Sequence, residues 1–219
     1  MGCLTMQKPE LKISVLSDYI CPFCFIANRR LDALREVYTL KINWCFIEIH
    51  PETPPQGRRF DALHYSDKER SGIHRDLQKM AEDDGIILPP LETTANSRKA
   101  LLLSQYSKKL GADLFYAFHN ALFNAQFLEG ENIGDEAFLR KLATQHNIPE
   151  SIIQQAWSED YADGPHNQTP PILLPYKQYA AALKNTHVPA IVIGQRLLSG
   201  VVSKDELLNA AKQADLTNA

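Results

Sequence analysis

Ser17-Asp18-Tyr19-Ile20-Cys21-Pro22-Phe23-Cys24-Phe25-Ile26-Ala27-Asn28-Arg29-Arg30-Leu31 is the stretch on which the fold turns. Two cysteines stand two residues apart, after an apolar run of β character and before a helical pattern. A cysteine at the first turn of a helix faces unpaired backbone N–H groups and the positive end of the helix dipole. Both favour a thiolate, the form that attacks a disulfide. Pro22 removes a donor that the first turn does not need and fixes the helix start. Cys24 lies one turn further on, so the pair can close and open as a disulfide without unfolding the chain.

Upstream, Leu11 to Leu16 alternates apolar and polar residues, a strand signal. Downstream, Phe23, Ile26, Ala27, Leu31, Leu34 and Val37 recur at helical spacing, and Lys41 to Ile49 reads as a second strand. Strand, helix and strand in so short a span form a βαβ unit with a parallel crossover. Cys45 falls within the second strand, where a core role outweighs chemistry. His50 to Asp61 carries Pro51, Pro54, Pro55 and Gly57 and reads as a loop. Its place after a strand end puts it beside the active site.

From Tyr65 to about residue 160 the patterning is nearly all helical. Apolar stripes run through Ile73 to Ala81, Ala100 to Leu110 and Leu114 to Phe123. Thr94 or Asn96 can cap one helix and Asp135 another, with Pro149 in a first turn. Pro165 to Pro175 is a loop, and Tyr176 to Lys184 a short helix. Val188 to Ile193 and Arg196 to Ser199 form a hairpin about Gly194-Gln195. Ser203 and Glu206 make a capping box for the last helix.

The chain has 219 residues and 44% hydrophobic content, enough for a sizeable core. A formal charge of −3 and the lack of a basic run give no attraction to nucleic acid. No apolar segment is long enough to cross a bilayer, and Met1 to Lys8 has no signal-peptide character. Gly2 invites a myristoylation reading that Met6 disfavours, and Cys3 reads as a tail residue. Four cysteines are too few for a secreted disulfide scaffold, so the expected setting is the cytoplasm.

Cys21-Pro22-Phe23-Cys24 after a strand, a helical insertion, and Val188-Pro189 opening a late hairpin resemble the thioredoxin fold in its DsbA form. The likeness is greatest to the FrnE-like subgroup, through Asp18-x-x-Cys21-Pro22-x-Cys24, Arg29-Arg30-Leu31, Asn96 to Leu101, Phe118 to Phe123 and Asn132 to Asp135. It implies an α/β thioredoxin fold with a large inserted all-helical lobe. The thioredoxin-like part would span residues 1–64 and 175–219, and the insertion 65–174. It also implies a thiol–disulfide oxidoreductase or isomerase, with Pro189 cis and facing the cysteines. Phe23, Phe25 and His187 depart from the subgroup's usual Trp, Tyr and Gly.

In this reading Cys21 is the nucleophile and Cys24 the resolving thiol. Pro22, Phe23, Val188, His187 and Asn96 contact substrate. The bland alternatives are half of a zinc site, which needs two further ligands, a core Phe23, a capping Asn96 and a solvated His187. Asp18 reads as a turn residue before a proton acceptor, and His119 as a packing histidine. No cofactor or metal is expected, and glutathione is the candidate co-substrate. The partner is a disulfide-containing protein or a small thiol, not nucleic acid or membrane, with a homodimer left open. Two rivals stand beside this: a glutathione-dependent isomerase or transferase of the kappa or chromene-carboxylate type, and a peptide-holding chaperone. Cys24 argues against the first.

Overall fold

The computed structural model describes residues 8–63, 65–158 and 168–218. Its main sheet is built from both ends of the chain. Strand β1 (Glu10–Ser17) pairs in parallel with β2 (Thr39–Phe46), and β1 also pairs antiparallel with β5 (Ala190–Ile193). Strand β6 (Arg196–Ser199) closes the hairpin, so the order is β2-β1-β5-β6. The apolar alternation of β1 puts Leu11, Ile13 and Val15 into the core.

Between β1 and β2 the sequence suggests one helix, but the chain makes two, α1 (Pro22–Arg30) and α2 (Asp32–Val37). The break falls where Arg30 is drawn inward. Its Nε donates to Asp84 Oδ2 at 2.6 Å and its Nη1 to the Val202 carbonyl at 3.1 Å. Strand β2 also ends three residues earlier than the apolar run suggests. Ile47 N–H still reaches the Ser17 carbonyl at 3.0 Å, but Ile49 N–H donates to Asp18 Oδ2 at 2.9 Å and leaves the ladder.

The segment after β2 is not wholly irregular. Strand β3 (Arg58–Arg59) pairs antiparallel with β4 (Thr93–Thr94). Gly57, at φ 83°, allows the close approach, because a Cβ there would lie 2.9 Å from the Thr94 carbonyl oxygen. The helices follow as α3 (Asp67–Asp83), α4 (Arg98–Ser107), α5 (Ala112–Phe127), α6 (Glu136–Gln145) and α7 (Glu150–Ser158). Ser66 and Glu69 form a capping box on α3, and Asp135 caps α6 by accepting from Phe138 N–H at 2.7 Å. α8 (Leu174–Ala182) and α9 (Lys204–Asn218) complete the chain, the latter with the Ser203–Glu206 capping box. The readings for Gly2, Cys3, Met6 and residues 164–167 lie outside the described residues.

One hydrophobic cluster runs from β1 through α1 into α4 and α5, joining Val15 and Phe25 to Leu101, Phe118 and Phe123. A smaller one, Leu16, Cys45 and Ala190, is covered by Tyr176, Tyr179 and Ala180 of α8. Cys45 is fully buried there. Burial pushes its thiol up to about 11, with the nearby Lys108 ammonium pulling the other way. Among the described residues no helix is long and apolar enough to cross a membrane.

Candidate active site

The site begins at the junction of β1 and α1. Cys21 is the N-cap of α1, with extended backbone at φ −89° and ψ 111°. Its carbonyl accepts from Cys24 N–H at 3.0 Å and Phe25 N–H at 3.2 Å, which sets the first turn. Pro22 occupies the start of the helix, where an N–H would have no partner. Cys21 and Cys24 are both free thiols in different surroundings. Cys21 lines a cleft of about 260 Å³, whereas Cys24 lies behind it and is 1% exposed. Burial, reinforced by the neighbouring Cys21, holds the Cys24 thiol well above its ordinary range, while the Asp18 backbone and Ser17 hydroxyl oppose this.

The hairpin closes the site from the other end of the sequence. The Val188–Pro189 peptide is cis, and the Cys21 thiol points to the Val188 carbonyl oxygen, with 3.7 Å between sulfur and oxygen. Phe23, half-buried, lines the cleft with Pro22, Val188 and His187. His187 is exposed at the rim, and its carbonyl accepts from Asn185 Nδ2 at 2.5 Å. The structure thus gathers Cys21, Pro22, Phe23, His187 and Val188 at one cleft, with Cys24 and Pro189 beneath.

Asn96 stands apart from these residues. It is absent from the residues lining this cleft and faces a separate cavity with Pro54, Asn132 and Gly134. Its side chain is already engaged: Nδ2 donates to the Thr53 carbonyl at 2.5 Å, and Oδ1 accepts from Arg98 N–H at 3.0 Å. It fastens the proline-rich loop to the start of α4. Arg98 strengthens that junction through a two-pronged pair with Glu48, at 3.0 and 2.9 Å, with both side chains under 10% exposed.

Asp18 is more than a turn residue. It is fully buried, with Oδ1 accepting from Ile20 N–H at 3.3 Å and Oδ2 from Ile49 N–H. Burial dominates these bonds and raises its pKa from 3.8 to about 7. His119 sits among the rings of Tyr19, Trp44, Phe46, Phe115 and Phe123. Its Nδ1 is 2.7 Å from the Tyr19 hydroxyl, while its buried Nε2 has no partner among the described residues. Burial, then the charges of Lys108 and Arg35, push its pKa down to about 3, which makes it a neutral packing residue.

Residue-type reasoning missed the far wall of the cleft. Phe60, Leu63, Tyr65 and Ile73 cover it, and His50 stands at its edge. His50 Nε2 lies 3.5 Å from the Tyr65 hydroxyl, and Nδ1 lies 3.2 Å from Glu52 Oε1. The signal available was positional, a loop leaving a strand end next to the dithiol. Among the described residues no group of three or more His, Cys, Asp or Glu is placed to hold a metal ion.

Comparison with known proteins agrees with this architecture. The chain is 24% identical over 193 residues to YwbO of Bacillus subtilis (strain 168), spanning 88% of this chain and 92% of that one. A solved structure named as a "probable DsbA oxidoreductase" from Streptomyces coelicolor superposes with a TM-score of 0.76 at 16% identity, covering 93% of this chain and 89% of that one. The cytosolic disulfide reductase DsbM from Pseudomonas aeruginosa, solved with GSH, gives 0.63 at 15% identity, covering 93% and 95%. These likenesses show the fold. Residues 12–212 match the family described as DSBA-like thioredoxin domain, and with the dithiol at a helix start and the late hairpin facing it, the chain belongs to that family.

Proposed function

We propose that this protein is a thiol–disulfide oxidoreductase or isomerase of the cytoplasm, working through Cys21 and Cys24. The observation that carries the reading is the asymmetry of the pair: Cys21 faces the cleft and the Val188 carbonyl, while Cys24 is shielded behind it. One sulfur meets substrate and the other waits. The Cys21 thiolate forms a bond to one sulfur of a substrate disulfide as the substrate S–S bond breaks and the second sulfur departs. Cys24, once deprotonated, attacks Cys21 and releases the first sulfur, leaving oxidised enzyme and reduced substrate. The reverse sequence oxidises a dithiol.

Val188, at the cis Val188–Pro189 peptide, bounds the place where an extended substrate would lie, and Phe23 and His187 offer apolar and polar contacts beside it. The substrate is a disulfide-containing protein or a small disulfide, with glutathione as the candidate co-substrate and no resident cofactor. Asp18-x-x-Cys21-Pro22-x-Cys24 supports placing the chain in the FrnE-like subgroup. A glutathione-dependent isomerase or a peptide-holding chaperone would have no use for a second, shielded thiol one turn from the first.

The direct test is reduction of insulin disulfides by purified protein with a recycling reductant. Replacing Cys21 with serine abolishes turnover, because an alkoxide is not available at neutral pH. Full activity of the Cys21→Ser protein would sink the proposal.

A further inference from the structure

The exchange described above leaves one product without a proton. When Cys21 attacks a disulfide, the far sulfur departs as a thiolate, and an aliphatic thiolate is a poor leaving group. Two side chains of the cleft, His50 and Tyr65, continue a chain that starts at Glu52, which lines the neighbouring cavity. Glu52 Oε1 lies 3.2 Å from His50 Nδ1, and His50 Nε2 lies 3.5 Å from the Tyr65 hydroxyl. Glu52 is itself held, with its carbonyl accepting from Arg58 Nη2 at 3.1 Å and its Oε1 4.0 Å from Arg58 Nη1. His50 and Tyr65 share the cleft with Cys21. Burial and then the Cys21 charge raise the Tyr65 hydroxyl above its ordinary pKa, so it keeps its proton.

The bonding roles follow from valence. A carboxylate only accepts, so the Nδ1 facing Glu52 carries hydrogen. In the neutral imidazole, Nε2 then accepts the phenolic hydrogen of Tyr65. In the imidazolium, Nε2–H donates to the Tyr65 oxygen and frees the phenolic hydrogen to turn into the cleft. The state of His50 therefore decides whether the cleft contains a donor.

On the reading of Cys21 as nucleophile, we propose that Glu52, His50 and Tyr65 form a relay that protonates the departing sulfur, which makes aliphatic disulfides the substrate class of this site. The Cys21 sulfur forms a bond to the near sulfur, and the electrons of the breaking S–S bond pass to the far sulfur. That sulfur takes the Tyr65 phenolic proton while Tyr65 takes the Nε2 proton of the imidazolium. The step ends with a neutral thiol, neutral Tyr65 and neutral His50, and Glu52 keeps its charge. His50, with its side chain 22% exposed, regains its proton from solvent. Facing this relay are Glu52 and Glu69 on the acidic side, Arg58 and Arg70 on the basic side, and Cys21 and His187 across the cleft. Tyr65 is the catalytic residue of the relay and His50 its proton source.

The test compares two disulfides on the reduced full-length protein. Hydroxyethyl disulfide releases a basic thiolate that needs a proton. An aromatic nitrobenzoate disulfide releases a thiolate stable without one. The readout is the ratio of their second-order rate constants, which cancels any loss of folded protein. Tyr65→Phe lowers the ratio of aliphatic to aromatic rate by about 100-fold, the low end of general acid catalysis. His50→Asn, which keeps a polar side chain but cannot pass on a proton, lowers it similarly. A wild-type enzyme that reduces both disulfides, with a ratio unmoved in either variant, overturns the relay alone. A wild type that reduces neither overturns the oxidoreductase reading and the relay with it.

Discussion

Asp18→Asn replaces the buried carboxyl with a neutral group of the same shape, and its effect on stability changes sign with pH. In the folded chain burial holds the Asp18 pKa at about 7, against an ordinary value of 3.8. The folded protein therefore holds a proton that the unfolded chain gives up, and stability falls as pH rises through that window. At 1.36 kcal/mol per unit the penalty above pH 7 is about 4 kcal/mol, an order-of-magnitude figure. Asparagine escapes that penalty but has one acceptor where Asp18 has two. Its amide would face either Ile20 N–H or Ile49 N–H, at a constant cost of about 1–3 kcal/mol. The variant is thus less stable than wild type at low pH and more stable at high pH, with the curves crossing near about pH 5. Denaturant unfolding in excess reductant at about pH 3.5 and about pH 8.5, below and above that titration, measures both limbs. A stability difference that stays constant across this range would refute the burial of an ionisable Asp18.

Three further outcomes follow from the geometry. Cys24→Ser leaves the cleft sulfur able to attack but removes its resolution, so mixed disulfides with substrate accumulate and appear as a mass increase on non-reducing gels or by mass spectrometry. Arg98→Met removes the two-pronged pair from the buried Glu48 side chain and lowers stability by about 3–5 kcal/mol, read as a shift in denaturant midpoint; a loss under 1 kcal/mol, the surface-pair range, would contradict that burial. Gly57→Ala forces a Cβ to 2.9 Å from the Thr94 carbonyl at positive φ, so it parts β3 from β4. Faster amide exchange confined to residues 58–59 and 93–94 would register the parting, and unchanged protection there would count against the contact.

Local chemistry was readable where the determinant lies within one turn of the residue it determines. Pro22 and the cysteine spacing mark the start of α1, Ser203 and Glu206 that of α9, and Asp135 that of α6. Alternation in Leu11 to Leu16 marks β1. Features set by distant partners were not readable. Arg30 looks like a surface residue of one long helix until Asp84 and Val202 draw it inward. Asp18 has the residue type of a turn, and its burial depends on Ile49, 31 residues away. Asn96 fits a cap as well as a cleft, and its bond to Thr53 decides between them at 43 residues' separation. His50 and Tyr65 became a pair only when the loop after β2 was folded against the dithiol.

The partners across the cleft mouth, Cys21 and Val188, are 167 residues apart, and β1 waits for β5 on one of its edges. During synthesis the dithiol emerges with β1 and α1, and the carbonyl that faces it emerges 167 residues later. Until then the cysteines belong to an unfinished sheet, with the wall of Val188 still to be made. A chain that stops short of β5 would carry a thiol pair and no place for a substrate to lie. The topology thus delays the working site until β5 has been made and has joined β1.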